Sequence, residues 1–414
     1  MPATARDRDF TKLWTGQTIS KFGSGIGGAA LDLTAVLALG ASPAQMGLLG
    51  AARLAPVVLL GLVAGAWVDR RRRQPLMIWA DVGRAALLAL IPLAAIAGML
   101  RLELLFVVAP LVGVLGVVFD VAYQSYVPAL VTRGRVMHAN SRLATSDALA
   151  EITTPGLAGL LTQLITAPLA LLCDAVSFLV SAVSVALVRT PEPPPPPRSE
   201  QTRLLTEIRE GLALVARNPV LRALAGFRAT REFFGNMIGT LYALYALREL
   251  GIGPVLLGVS IGVGGASNLL GTLIVERVTR RFGIGPTIMG SQLVGSVSVL
   301  TLPLAASAAA AGGPLWGFIF LALGQASDLI HPLYDVNTLS LRQATTPDHL
   351  LGRVNASMQV IEGALWPLGA VVGGVLGGLI GIQPTLFIVA AGIIASRLWL
   401  VFSPVPRLCE LPTS

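Results

Sequence analysis

The chain has 414 residues, of which 54% are hydrophobic and only 13% charged, and its mean hydropathy is +0.74. A soluble core cannot bury so much apolar surface, so the composition excludes a soluble globular protein and indicates an integral membrane protein. The net charge of +8 does not indicate nucleic-acid binding, because the basic residues lie in the turns between apolar segments.

The apolar segments are long enough to be membrane-spanning helices. About 20 apolar residues cross a hydrocarbon layer of roughly 30 Å, and the sequence lacks the alternation that a β-barrel requires. We therefore predict an all-α integral membrane protein with twelve spans. They are expected at about 13–39, 46–68, 76–99, 103–126, 143–165, 168–188, 221–247, 255–275, 287–309, 315–334, 355–380 and 385–402.

The stretch GLVAGAWVDRRRRQP, Gly61 to Pro75, joins the second and third spans. Each arginine costs roughly 2.5–3.5 kcal/mol at the membrane centre, so four successive ones stay in the cytoplasm. The other turn arginines fall on the same side, and only Arg101 and Arg248 fall on the opposite one. This asymmetry predicts that both termini are cytoplasmic. Cys173 in a span and Cys409 in the tail give no reason to expect a disulfide.

A linker divides the chain into two halves. PEPPPPP at 191–197 cannot be helical, and apolar residues then recur at helical spacing from Leu204 to Val215. We expect an amphipathic helix along the cytoplasmic membrane face; a solvated connector helix is the alternative. The predicted domains are a six-helix bundle at 1–189, the linker and amphipathic helix at 190–219, and a six-helix bundle at 220–414.

The turns of the second half repeat those of the first. GTLIVERVTRRFG at Gly271 to Gly283 matches the opening stretch in kind, and TTPDHLLGRVNAS after span ten is similar to VTRGRVMHANSRL after span four. A duplicated six-span unit explains both pairs, and such repeats place a substrate site near the membrane midplane.

The turn between spans two and three resembles the signature of the major facilitator superfamily. Gly65, Asp69, Arg70 and Arg73 carry it, although Arg72 stands where the family usually has glycine and Gln74 where it has a basic residue. A similar motif in the second half, at Gly271, Glu276, Arg280 and Arg281, is also typical of that family. RDFTKLWTGQTISKFG, YVPALVTRGRVMHANS and CDAVSFLVSA resemble the branch of bacterial macrolide-efflux and enterobactin-export permeases. That resemblance implies an exporter, in many members coupled to protons.

Asp69 and Arg70 are candidate cytoplasmic gate residues, because a carboxylate there can hold a cation or a helix N-terminus and release it. Topological anchoring is the alternative, and it is favoured for Arg71 and Arg72. The complete set of predicted gate residues is Gly65, Asp69, Arg70, Arg73, Gly271, Glu276, Arg280 and Arg281.

Ionisable residues inside spans are the candidates for proton coupling or the substrate cavity, because their burial is costly. Asp32 has no cation on its own helix within one turn, which suits a proton carrier; the alternative is a structural tie to Arg53. His331 between Asp328 and Asp335 suits a proton relay, or is only a satisfied polar group. Asp81 and Arg84 are expected to pair structurally. The predicted set is Asp32, Arg53, Asp120, Arg228, Glu232, Asp328, His331 and Glu362.

Enzymatic chemistry has no support in the sequence. It contains no GxxxxGK(S/T) loop and no zinc-spaced Cys/His cluster, so we predict no catalytic activity, no cofactor and no metal. We expect a monomeric secondary transporter of the bacterial inner membrane that exports a small lipophilic or cationic compound in exchange for protons. The alternatives are an importer or uniporter of a metabolite, or a non-transporting membrane sensor.

Overall fold

The computed structural model describes residues 5–68, 70–131, 136–190, 192, 204–347 and 350–408, and their regular structure is helical throughout. The predicted linker 191–197 lies outside the described residues except for Glu192, and so does Asp69. The helices are α1 (Ala5–Leu33), α2 (Pro43–Val68), α3 (Arg73–Ile96), α4 (Leu102–Leu130), α5 (Val136–Ile165), α6 (Ala167–Ala186), α7 (Leu204–Arg217), α8 (Pro219–Leu244), α9 (Pro254–Phe282), α10 (Ile284–Ser298), α11 (Thr301–Gly312), α12 (Pro314–Ala326), α13 (His331–Ala344), α14 (Leu351–Ile380), α15 (Ile382–Ser396) and α16 (Leu398–Val401).

Nine spans of the described chain are long and apolar enough to cross a membrane, which confirms the all-α membrane prediction. Two of them join consecutive helices, α10 with α11 and α15 with α16. The predicted first, seventh and tenth spans do not meet the apolar criterion, because α1 and α8 carry several charged residues. The tenth is divided into α12 and α13 by a 3₁₀ turn at Ser327–Ile330. The polar spans are therefore those that carry most of the candidate site residues.

The described helices form two compact units. The first contains 1–42, 49–198 and 253–262, and the second contains 43–48, 199–252 and 263–414. In the first unit, α1 packs against α5 and α6, and α3 packs against α4 and α6. Close approach of α1 and α6 requires glycine at Gly27, since a Cβ there would overlap the carboxylate of Asp174.

The second unit is built around α8, which packs against α14 and α15. The amphipathic helix α7 packs against α14 as well, rather than presenting its whole length to a membrane surface. Gly211 allows this contact, because a Cβ there would come within 2.8 Å of the Arg353 carbonyl carbon. Glu210 and Arg353 form an ion pair beside it, and Val215 enters the hydrophobic core around Leu221.

A buried tyrosine hydroxyl is inserted into the hydrogen-bond ladder of α11. Tyr245 lies in a π-helical turn that follows α8, and its side chain is fully buried. The hydroxyl donates to the carbonyl oxygen of Leu302 at 2.7 Å and accepts from the amide of Ala306 at 2.9 Å. These two backbone groups are four residues apart, so the hydroxyl replaces one helical bond and locally opens the helix.

We expect Tyr245→Phe to destabilise the protein by about 1–3 kcal/mol, because a buried carbonyl and a buried amide both lose their partner. Thermal unfolding of the detergent-solubilised protein measures the change. Tyr126→Phe is the matched control, since the Tyr126 hydroxyl is buried without a hydrogen-bond partner in the described structure and its loss should be neutral or stabilising. Equal melting temperatures for the two variants would contradict the structural role of the Tyr245 hydroxyl.

Candidate functional site

Arg228 of α8 is surrounded by three carboxylates in the second unit. Its guanidinium lies 3.6 Å from Glu232 on the same helix and 3.5 Å from Glu362 of α14, and it forms an ion pair with Asp335 of α13. A guanidinium is always charged and has only donors, so it suits several carboxylates at once. Through Arg228, three helices converge on one charged centre.

A second chain of contacts extends this centre to the 3₁₀ turn. Arg231 lies 3.8 Å from Glu232, and its Nη2 lies 2.6 Å from Nε2 of His331. Because arginine can only donate, Nε2 must accept, and the ring proton therefore resides on Nδ1. Nδ1 faces Asp328 at 3.6 Å. His331 thus lies between an arginine and one carboxylate, not between Asp328 and Asp335 as the sequence suggested.

These contacts define the acidic network: Arg228, Arg231, Glu232, Asp328, His331, Asp335 and Glu362. It unites every second-half residue of the predicted cavity set. A cavity of about 300 Å³ adjoins it, lined by Arg228, Asp335, Arg342 and Glu362 among others. Four carboxyl groups face two guanidinium groups within the network, so negative charge is in excess even when Arg342 at the cavity wall is included.

The first-half candidates form looser arrangements. Asp32 lies in the last turn of α1, and its carboxylate lies 3.8 Å from the guanidinium of Arg53 on α2. Both side chains remain partly exposed, at 35% and 47%. The contact is the one that the structural tie requires, and both the tie and proton coupling through Asp32 stay predictions. Asp120 is exposed on α4 and interacts electrostatically with Arg84 and Lys21.

Asp81 and Arg84 form an ion pair within α3, as predicted. Asp81 also accepts a hydrogen bond of 2.6 Å from Ser181, and the Arg84 guanidinium lies over the rings of Phe119 and Phe178. The pair is buried. Its partners come from α3, α4 and α6, which indicates a structural element.

The opening stretch binds the start of the linker. The carboxylate of Glu192 accepts hydrogen bonds from the backbone amides of Arg73 and Gln74, at 2.7–3.4 Å, and lies 3.7 Å from the Arg73 guanidinium. These amides begin α3, so Glu192 caps that helix. Gln74 donates to the carbonyl oxygens of Val185 and Val188 near the end of α6. Nothing in the sequence distinguished Glu192 from the polyproline segment around it.

Asp9 makes a similar set of contacts just beyond the end of α6, close to Glu192 in the chain. Its carboxylate accepts hydrogen bonds from the amides of Arg189 and Thr190, from the Thr190 hydroxyl and from Lys12. Burial alone would raise its pKa, but these hydrogen bonds lower the pKa of Asp9 to about 2. Asp9 is therefore ionised at every physiological pH.

The remaining gate candidates differ in their surroundings. Gly65 lies in α2, Asp69 lies outside the described residues, and Arg70 is exposed. Glu276 and Arg280 form a pair at 3.7 Å near the end of α9, with both side chains more than 70% exposed. Such a pair contributes little to stability. Arg281 lies over its neighbour Phe282, and Gly271 lets α9 approach the carbonyl of Leu329 in the 3₁₀ turn.

Two helical units with charged groups in their interiors define the chain as a secondary transporter of the membrane. The family model of the Major Facilitator Superfamily matches residues 13–363 of the chain. The chain therefore belongs to the major facilitator superfamily, a family of transporters and not of enzymes, and the predicted family is confirmed.

Several relatives support this assignment. The MFS-type transporter YfiS of Bacillus subtilis is 28% identical over 92% of this chain and 90% of its own length. The multidrug efflux pump Tap of Mycolicibacterium fortuitum is 28% identical over 86% of each chain. Macrolide efflux protein A of Streptococcus pyogenes is 24% identical over 61% of this chain and 62% of its own length. The fold matches the crystal structure of a bacterial homologue of the lysosomal transporter Spinster, with a TM-score of 0.71, 12% identity and 98% coverage of both chains.

We expect Glu192→Ala to loosen the start of α3 by about 1 kcal/mol, because two helix-end amides lose a charged acceptor. Hydrogen exchange of the Arg73 and Gln74 amides should become about fivefold faster. Glu103→Ala is the matched control, since Glu103 lies in the first turn of α4 but is exposed. Unchanged exchange at Arg73 in Glu192→Ala would show that the contact has no energetic role.

Proposed function

We propose that the chain exports a small lipophilic or cationic compound in exchange for protons. The observation that carries this proposal is the acidic network beside a cavity in the second unit. Where carboxyl groups outnumber the cations that they share inside a membrane protein, they take up protons or bind a cationic ligand. A cationic compound that binds at Glu362 therefore displaces protons, which is the elementary event of antiport.

The relatives support the same direction of transport. Tap is a multidrug efflux pump and the streptococcal protein is a macrolide efflux protein. The cavity of about 300 Å³ suits a small ligand, and its lining combines the charged network with Leu224, Leu339 and Met358. The lining itself carries two arginines and two carboxyl groups, so the preference for a cationic compound rests on the excess of carboxyl groups in the wider acidic network.

We further propose that the arginine-rich ends of the spans face the bacterial cytoplasm. The turn arginines at 70–73, 277, 280 and 281 lie at corresponding ends of the two repeats, and the positive-inside rule places such turns inside. Both termini are then cytoplasmic, and the membrane is the bacterial inner membrane.

Transport is tested in vesicles that contain the purified protein and a pH-sensitive dye, with lipophilic cations, macrolides and siderophores as compounds. We expect compound-dependent proton movement in the wild type and none in Glu362→Gln, which keeps the shape of the side chain and removes its charge. Glu103→Gln is the matched control, because Glu103 is exposed in the first turn of α4 and lies outside the network.

Three results bear on the proposal separately. Compound transport without proton movement in the wild type would mean that the protein is a uniporter. Proton coupling that survives Glu362→Gln and disappears in Asp32→Asn would move the coupling site to the first unit. If a preparation with normal thermal unfolding transports none of these compounds, the proposed substrate class is wrong.

The orientation is tested with Cys409 as a reporter in a Cys173→Ser background, which leaves Cys409 as the single thiol of the sequence. A membrane-impermeant maleimide should label Cys409 in inverted membrane vesicles and not in intact spheroplasts, because the tail is expected to be cytoplasmic. Labelling in intact spheroplasts would place the carboxyl terminus outside, and every turn would then lie on the opposite side of the membrane from the one predicted.

A further inference from the structure

A second cavity of the second unit lies between α8 and the α15–α16 segment, apart from the acidic network. Its volume is about 590 Å³. The residues that line it are mostly apolar, and they include Phe234, Ala395, Leu398, Trp399 and Phe402. We call this cavity the α8–α16 groove. It shares no lining residue with the cavity at Arg228.

Two aromatic rings are fixed in the walls of the α8–α16 groove. A Cβ on Gly226 would come within 2.8 Å of the Trp399 indole, so the absence of a side chain lets the indole lie against α8. The indole Nε1 donates to the Thr230 hydroxyl at 3.2 Å. In the same way Gly392 accommodates the ring of Phe234. The groove is thus a shaped surface and not a gap between mobile side chains.

Charge is confined to one end of the groove. Among the lining residues, all of which the structure describes, Arg222 alone carries a formal charge. It lies in the first turn of α8, its side chain is exposed, and one guanidinium nitrogen donates to the Ala216 carbonyl at 3.3 Å. The remaining guanidinium donors are available to a ligand, since arginine has five.

The opposite wall presents large apolar side chains outward. Leu398 and Phe402 are exposed, the latter at 83%, and Trp399 is half-exposed beside them. Tryptophan at a span end is typical of the membrane interface, where lipid headgroups meet the hydrocarbon layer. The α8–α16 groove therefore combines an apolar trough that opens toward lipid with one cation at the arginine-rich end of the spans.

We propose that the α8–α16 groove binds an anionic phospholipid, with one acyl chain in the apolar trough and the phosphate on the Arg222 guanidinium. Basic groups at the cytoplasmic end of membrane helices recognise such headgroups, and an acyl chain fills a space that water would solvate poorly. The assignment of this lipid to the inner leaflet rests on the proposed orientation. The binding itself does not.

The test uses tryptophan fluorescence of the full-length protein in vesicles of phosphatidylcholine that contain increasing fractions of a brominated lipid. Brominated acyl chains quench a tryptophan that they contact, and the difference between wild type and Trp399→Phe isolates Trp399. We expect brominated phosphatidylglycerol to quench Trp399 with about fivefold higher apparent affinity than brominated phosphatidylcholine, as expected for one arginine at an anionic headgroup. Both leaflets contain the lipid, so neither orientation nor transport affects the result.

Two variants separate the headgroup from the trough. Arg222→Gln should abolish the preference for phosphatidylglycerol and retain quenching, whereas Ala395→Leu should fill the trough and weaken quenching by both lipids. Arg209→Gln is the matched control, because Arg209 is an exposed arginine of α7 that does not line the groove. Thermal unfolding confirms that each variant is folded.

Equal affinity for the two lipids in the wild type would overturn the proposal, as would a preference that survives Arg222→Gln or that is lost equally in Arg209→Gln. Absence of quenching by either lipid, together with a dimer in native mass spectrometry, would mean that a second copy covers the groove. These outcomes are independent of the proton-flux experiment, so failure of one proposal does not decide the other.

Discussion

Neutralisation of a guanidinium inside a helical bundle is the constraint that organises both units. Arginine cannot lose its charge, and an unpaired charge in a bundle interior is too costly to persist. The first unit places Arg84 between two aromatic rings and pairs it with Asp81, which is itself bound by Ser181. The second unit surrounds Arg228 with Glu232, Asp335 and Glu362 from three helices. In each unit, the ion pairs and ring contacts of one arginine therefore join residues from three helices.

The two solutions have different chemical consequences. Around Arg84 the guanidinium is held by Asp81 and by the rings of Phe119 and Phe178, so this centre joins α3, α4 and α6. Around Arg228 the carboxyl groups outnumber the guanidinium groups, and a cavity adjoins them. His331 contributes no positive charge while its Nε2 accepts from Arg231. Structural and chemical roles are thereby separated between two units of similar architecture.

The sequence predicted the helices well where apolar length alone decides them, and less well where polar side chains interrupt a span. Asp328 and His331 were recognised as candidates, but the 3₁₀ turn that presents them is not visible in the hydropathy pattern, and neither is the partner of His331 on α8. The sequence did not indicate the role of Glu192, because the prolines around it indicate only an extended chain. Its carboxylate binds backbone amides that lie more than 100 residues away in the sequence. The groove at Trp399 depends on Gly226 of a distant helix, a contact that the local sequence around Trp399 does not indicate.

The two carboxylates that fasten the first unit have a consequence for its biosynthesis. Asp9 binds the end of α6 and Glu192 binds the start of α3, so all partners of both contacts lie within the first 192 residues. A chain emerging from the ribosome therefore possesses every group needed for both contacts before α8 has been synthesised. Both carboxylate contacts can therefore form while the ribosome is still translating the remainder.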